Sequence, residues 1–354
     1  MGKNDDKYYS PNYLRSLKDA DGNLPTFYIV DGNRTAGKSV AFKKILMDTY
    51  LKDPSGATQF IYLIRNKGDL AGIEHAFFDD ISRIFYPDIT LHPKYVLNKN
   101  AVELHMNSPK GDTCGYAVSL NMARKIKNFS GMFVRVKHIF FDEYQDEENN
   151  YLDNEIKKFA SLITSVSRGD GEQVRRVCVY MASNAVSILN PYYSYFGIDK
   201  RIKRNTKFLR GKGWVYERTW NQSASDALSQ SGVARALKSS GYFESATQNI
   251  YLNDNMALIS RPEGQGKYML SVKYNGKWFS VWRYPTIIYV AEGANMQYPQ
   301  RICFNVNDVT DDRQMMIGSN NPLVIYLREY FNRGVMRFQS LFAKEMTLDL
   351  LNYL

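Results

Sequence analysis

Residues Gly32 to Ser39 read Gly-Asn-Arg-Thr-Ala-Gly-Lys-Ser, the pattern G-x-x-x-x-G-K-S with an arginine inside the loop. Few short stretches restrict a fold as tightly, because this loop works only between a buried strand and the first turn of a helix. The flanks supply both. Thr26 to Val30 is a short apolar run suited to a strand, and Val40 to Tyr50 spaces its apolar residues as a helix does. In that setting the backbone N–H groups from Gly32 through Asn33, Arg34, Thr35, Ala36 and Gly37 wrap phosphates at a helix N-terminus. Lys38 then reaches the β and γ phosphates, and the Ser39 hydroxyl ligates Mg²⁺. The expected ligands are ATP and Mg²⁺.

Hydrolysis needs a second element, and His138-Ile-Phe-Phe-Asp-Glu143 provides a candidate. A strand-like run ends in two acids. A carboxylate at the C-terminal edge of a strand beside the loop reaches the metal, so Asp142 is the expected metal residue. Glu143 points to the other side of the strand end and is the expected base for the attacking water.

Composition limits the alternatives. A chain of 354 residues with 44% hydrophobic content can bury one large core and a smaller one. No apolar stretch approaches the roughly 20 residues that cross a bilayer, and Met1 to Asp6 is too polar for a secretory signal, so a cytoplasmic protein without a membrane partner is expected. The three cysteines, Cys114, Cys178 and Cys303, lack both metal-ligand spacing and a disulfide framework. A formal charge of +10 favours a polyanionic partner.

Further along, Gln59 to Arg65 and Val174 to Ser183 read as strands, Gly68 to Phe85 and Tyr151 to Val166 as helices, and Tyr95 to Met106 with Tyr116 to Leu120 as hairpin-like strands. This alternation predicts a mostly parallel sheet covered on both faces, of the P-loop class with an additional strand and a catalytic glutamate. Ile198 to Arg218 is strongly basic, including Lys200, Arg201, Lys203 and Arg204. Beyond it, Tyr268 to Tyr274, Trp278 to Tyr284 and Thr286 to Val290 read as strands, the first two joined by Asn275-Gly276, and two helices close the chain. The expected division is an ATPase domain over 1–195, a basic linker over 196–245 and a smaller α+β domain over 246–354.

The order of these motifs resembles the DNA-packaging ATPases of small tailed phages with protein-primed replication, the Picovirinae type, relatives of large terminases and ring DNA translocases. Its carriers are the Arg34-containing loop, Gln59 to Arg65, Phe141-Asp-Glu143, Ser167-Arg168 with Val174 to Cys178, and Ser183-Asn-Ala-Val-Ser187 with Asn190-Pro191. The resemblance implies a homo-oligomeric ring, usually a pentamer, in the host cytoplasm. The ring docks transiently on the portal of a prohead and drives double-stranded DNA inside, with a scaffold RNA between ring and portal left open.

Carried over by position, Lys38 and Ser39 fall on the phosphate and metal positions, Asp142 on the metal position, Glu143 on the catalytic glutamate and Arg168 on a trans-acting arginine. From the residues alone Arg168 reads as a solvated loop arginine, the trans role being what the resemblance implies, and Arg34 is a competitor because it already lies in the phosphate loop. Asn184, at a strand end, is a candidate for orienting the lytic water, with a strand-capping asparagine as the alternative. Lys67 and the basic run Lys200, Arg201, Lys203 and Arg204 are candidates for DNA phosphates, or else solvated charges.

In large terminases the C-terminal domain is an RNase H-like nuclease with two metals held by acids, the first on its opening strand. Here Tyr268 to Tyr274 contains no acid, while Glu292, Asp308, Asp311 and Asp312 lie downstream. A vestigial nuclease fold that binds nucleic acid is expected. The rival readings are a terminase with an active nuclease and a non-motor DNA-dependent ATPase.

Overall fold

The structure, a computed structural model, describes residues 8–53, 55–147, 150–169, 173–187, 190–199, 201–202, 206–232, 257–298, 301–303, 305–310, 314–317, 321–332 and 335–353. The chain forms two compact units. The first comprises residues 1–145, 155–185 and 201–250, and the second residues 146–154, 186–200 and 251–354.

The first unit is built on the strands β1 (Phe27–Gly32), β2 (Gln59–Ile64), β3 (Leu91–Val96), β4 (Ala101–Met106), β5 (Thr113–Ser119), β6 (Val136–Asp142), β7 (Cys178–Asn184), β8 (Phe208–Gly211) and β9 (Trp214–Thr219). They form one sheet in the order β3-β4-β5-β2-β6-β7-β1-β9-β8. From β5 to β9 every pairing is parallel, and antiparallel hairpins close both edges. All residues of β2 are buried, as a strand covered on both faces requires.

Alternation along the strands assigns the two faces. Phe140 packs on Phe42 of the helix Lys38–Leu51, with ring centroids 5.4 Å apart, while its neighbour Phe141 meets Phe159 of the helix Glu155–Val166 at 5.8 Å. On the first face, the helix Ile73–Phe85 places Ile73, Phe77, Phe78 and Ile81 in the core. It starts later than Gly68 because Gly72, at φ 69°, breaks the run after a short 3₁₀ turn at Lys67–Leu70. The strand expected from Val174 begins only at Cys178, since Arg175 donates its guanidinium hydrogens to the carbonyls of Phe133, Val136 and Val166.

The expected additional strand is present: β7 lies between the P-loop strand β1 and the Asp-Glu strand β6. One expectation needs correction. The basic segment 196–245 is not linker throughout, because β9 pairs in parallel with β1, from Phe27↔Trp214 to Gly32↔Thr219, and β8 pairs with β9. The apolar residues Trp214, Val215 and Tyr216 are buried on joining the sheet, which outweighs the basic composition around them.

The second unit carries β10 (Lys267–Tyr274), β11 (Lys277–Arg283), β12 (Ile288–Glu292), β13 (Arg301–Cys303), β14 (Met315–Met316) and β15 (Met336–Phe338), in the order β14-β13-β10-β11-β12-β15. The meander β10-β11-β12 is antiparallel, whereas β13 and β14 run parallel to β10 and β15 runs parallel to β12. The Asn275-Gly276 turn has φ of 49° and 76°, which a two-residue hairpin of this type requires. The helices Pro322–Asn332 and Leu341–Tyr353 contribute Val324, Leu327, Ala343, Met346 and Leu350 to its core.

Candidate active site

The glycine loop leaves β1 at Gly32, where a Cβ would fall 2.4 Å from the carbonyl oxygen of Thr219 on β9. Only glycine fits there. The loop ends at Gly37, whose φ of 85° opens the helix that begins at Lys38. Lys38 is 6% exposed, and its Nζ donates to the carbonyls of Asn33 at 2.7 Å and Gly32 at 3.3 Å. Burial pulls its pKa down to about 8; Asp31 and Asp142 oppose the shift, and the nearby positive charge of Arg34 adds to it.

The side chain of Asn33 does not point at this site. Its Nδ2 donates to the carbonyl of Asn221 at 2.9 Å and its Oδ1 accepts from the Asn221 N–H at 3.0 Å, tying the loop to the start of the helix Gln222–Ser229. The main chain of Ala36 is likewise held, accepting from the Tyr9 N–H at 2.8 Å.

Ser39 and Asp142 meet below the loop, the serine Oγ donating to Asp142 Oδ1 at 2.7 Å. The second carboxylate oxygen accepts from the Tyr62 hydroxyl at 3.2 Å. Burial pushes the Asp142 pKa up, opposed by the charge of Lys43 and by these two hydroxyl bonds. Burial, with the Asp142 charge, raises the Tyr62 phenol well above its usual range, so it remains a proton donor. A hydroxyl and one carboxylate suit Mg²⁺, which takes one or two protein oxygens and keeps water and phosphate as its other ligands. Among the described residues no three His, Cys, Asp or Glu side chains gather to hold a metal by themselves.

Glu143 follows at φ 53°, its side chain exposed at the end of β6. Arg65 holds this turn, donating to the carbonyls of Glu143 at 3.1 Å and Tyr144 at 2.7 Å. Asn184 ends β7 in register with Gly32, so the strand between β1 and β6 delivers it to the start of the loop. Together these strands gather Lys38, Ser39, Asp142, Glu143 and Asn184 at one edge of the sheet.

Arg168 stands apart from them. It is exposed just after the helix Glu155–Val166, where the Arg175 N–H donates to the Ser167 carbonyl at 2.8 Å. Arg168 has no side-chain partner among the described residues. Lys67 is exposed at the C-terminal end of β2. Arg201 lies over the Trp214 ring at 5.5 Å. Lys200, Lys203 and Arg204 lie outside the described residues.

In the second unit, two of the candidate acids downstream of β10 are engaged in hydrogen bonds. Asp308 accepts from the N–H groups of Asn275 at 2.9 Å and Gly276 at 2.7 Å, capping the hairpin turn. Glu292 accepts from the Ser340 hydroxyl. The face of β10 that leaves the core carries Ser271 and Lys273, and Lys273 donates to Thr310 at 2.6 Å. Asp311 and Asp312 lie outside the described residues.

Tyr62, Lys43, Arg65, Glu155 and the Asn33–Asn221 pair were not singled out by the sequence motifs. A polar residue inside an otherwise apolar strand, as Tyr62 is in Phe-Ile-Tyr-Leu-Ile, is the one local signal that pointed to any of them.

A parallel sheet in which β7 separates a P-loop strand from an Asp-Glu strand, with the P-loop serine bonded to the strand's aspartate, defines a P-loop protein of the additional-strand, catalytic-glutamate class. The comparison with known proteins is more specific. Residues 3–353 match the podovirus DNA encapsidation protein (Gp16) family, and the chain belongs to it. It is 24% identical to the DNA packaging protein of Bacillus phage phi29 over 326 residues, covering 91% of this chain and 92% of the relative. With the DNA packaging protein of Bacillus phage B103 it shares 27% over 318 residues, covering 88% and 92%. Among solved structures it resembles a chain of the bacteriophage Phi-29 viral genome packaging motor assembly, with a TM-score of 0.55, 24% identity and coverage of 98% and 99%. It also resembles the Phi-28 gp11 DNA packaging motor, with a TM-score of 0.59, 15% identity and coverage of 99% of each chain. These two likenesses establish a shared fold. Among the described residues no helix is long and apolar enough to cross a membrane.

Proposed function

We propose that this chain is the ATP-driven subunit of a homo-oligomeric ring, a pentamer, that moves double-stranded viral DNA through a portal into a prohead in the host cytoplasm. The observation that carries this reading is the Ser39–Asp142 bond beneath the glycine loop, with Glu143 next in the chain, in a member of a DNA-encapsidation family.

In this reading Lys38 turns from the loop carbonyls to the phosphates of ATP. Mg²⁺, held by Ser39 and Asp142, supplies neutralising charge at the β and γ phosphates when bound. Glu143 accepts the proton of the attacking water, and Asn184 orients that water. Arg168, exposed and without a side-chain partner among the described residues, reaches the γ-phosphate of a neighbouring subunit, with Arg34 as the cis competitor. Lys67 and the segment Lys200, Arg201, Lys203 and Arg204 contact DNA phosphates without reading sequence. The region 246–354 contributes nucleic-acid binding on a vestigial nuclease fold.

The test combines purified chain, proheads, genome and ATP, and measures DNase-protected DNA. Protection should require ATP and disappear with Lys38→Ala. ATP turnover indifferent to both DNA and proheads, without protection, would replace the motor by a non-motor ATPase.

A further inference from the structure

Tyr62 lies in the middle of β2, 5% exposed, opposite Phe140 of β6 in the sheet register. Its ring belongs to an aromatic layer, with centroids 5.1 Å from Phe77 and 5.9 Å from Phe140. Phe42, Phe60, Phe77 and Phe140 fill neighbouring positions of the same layer without a hydroxyl, alongside Tyr180, which stacks on Phe42 at 5.2 Å, so burial in this layer does not by itself call for a hydroxyl at position 62. The hydroxyl nevertheless has a partner of consequence: it donates to Asp142 Oδ2 at 3.2 Å, while Ser39 occupies Oδ1.

The two bonds are not equivalent. Ser39 sits on the helix that follows the glycine loop, and its oxygen is the one a divalent cation would take as a ligand. Once Ser39 turns to the cation, the Tyr62 hydroxyl remains as a side-chain donor to the carboxylate, beside the backbone N–H of Glu143. Lys43, one helical turn beyond Ser39 and 4% exposed, stabilises the tyrosine in place: its Nζ lies 5.7 Å from the Tyr62 ring centroid and is anchored on the Ala76 carbonyl at 2.6 Å.

We infer that Tyr62 is a positioning residue for the divalent cation, aiming the Asp142 carboxylate by holding the oxygen that Ser39 does not, an inference that rests on the nucleotide and Mg²⁺ reading above. The hydroxyl acts on the metal through Asp142 and not on the nucleotide. Partners that orient metal ligands in this way are worth about 10- to 100-fold in metal affinity.

The experiment measures the dissociation constant of a non-hydrolysable ATP analogue by calorimetry, once with Mg²⁺ and once in EDTA, for the full chain and for Tyr62→Phe and Asp142→Asn. The ratio of the two constants is the tightening due to the cation. Tyr62→Phe should bind the analogue as the parent does in EDTA, melt at the parent temperature in EDTA, and lose about tenfold or more of that tightening. Asp142→Asn should lose nearly all of it. If Tyr62→Phe keeps the parent ratio, the hydroxyl merely fills space and the inference falls. If the parent shows no tightening, or Asp142→Asn retains it, the metal reading of Ser39 and Asp142 falls and takes the inference with it.

Discussion

Arg65 donates through Nε to both carboxylate oxygens of Glu155 at 3.2 Å, in an ion pair whose side chains are 7% and 1% exposed. The same guanidinium donates to the carbonyls of Glu143 and Tyr144. One buried cation therefore links the end of β2, the helix Glu155–Val166 and the turn that carries the acidic pair. A non-glycine residue at positive φ costs about 1–3 kcal/mol, and the Arg65 bonds offset that strain at Glu143.

Removing the cation should damage stability and turnover together. Arg65→Met takes the arginine from a buried carboxylate and should cost about 3–5 kcal/mol, read as a lower urea midpoint. ATPase turnover should fall more than ATP affinity, because the loop that binds phosphate is untouched. Full turnover at the parent midpoint would show that Arg65 does not hold the turn.

Binding and cleavage should separate at two residues. Lys38→Ala loses the cation that faces the phosphates, so affinity and hydrolysis fall together, whereas Glu143→Gln should hold ATP and stop cleaving it. Equilibrium binding and steady-state turnover on both variants check this. Near-parental turnover by Glu143→Gln, with Asp142→Asn inactive, would move the base elsewhere.

The exposed Arg168 predicts complementation. Arg168→Ala should bind ATP and turn over about 10³- to 10⁵-fold more slowly, as expected when an arginine finger is lost. Mixed rings with Glu143→Gln should regain part of the activity, since some interfaces pair an intact Glu143 with an intact Arg168. If co-assembled mixtures stay as inactive as each variant alone while Arg34→Ala abolishes turnover without lowering affinity, Arg34 is the activating arginine.

His138, four residues before Asp142, sets an acid limit on stability. Its ring stacks at 5.9 Å on Tyr180, and its Nδ1 has no partner among the described residues. Burial, helped by the charges of Arg15, Arg176 and Lys137, pushes its pKa down from 6.5 to about 4. The unfolded chain therefore takes up a proton at higher pH than the folded one. The stability from a neutral His138 is complete above pH 6.5, is lost as pH falls toward 4, and changes no further below that. The slope is about 1.4 kcal/mol per pH unit at most. Melting curves across this window should be flatter for His138→Phe; an unchanged slope would exclude His138 as the source.

Asp308 is predicted to be structural. Asp308→Ala removes both caps from the Asn275-Gly276 turn and should destabilise the second unit by about 1–3 kcal/mol. Plasmid incubated with the parent protein and Mg²⁺ or Mn²⁺ should stay intact, because an acid-free β10 cannot contribute to a metal pair. Metal-dependent nicking that Asp308→Ala abolishes without unfolding would reverse this.

What could be read without coordinates was local. The glycine loop, the Asp142-Glu143 strand end and the Asn275-Gly276 turn each declare themselves within a few residues, because backbone conformation and phosphate contact are decided at that range. Alternating strands and helices likewise implied a parallel sheet, although the Phe208–Gly211 and Trp214–Thr219 strands were concealed inside a basic run.

By itself the sequence determined where the chemistry was to be sought: a phosphate-loop pattern, a serine and an aspartate proposed to hold the metal, and a proposed base one residue on. Tertiary structure decided how that chemistry is held. Tyr62 reaches Asp142 across 80 positions, Arg65 reaches Glu155 across 90, and Asn33 reaches Asn221 across 188. No local pattern encodes such pairs. They form because the parallel sheet brings strand ends from distant parts of the chain to one edge, where buried polar groups must find partners or cost the fold their desolvation.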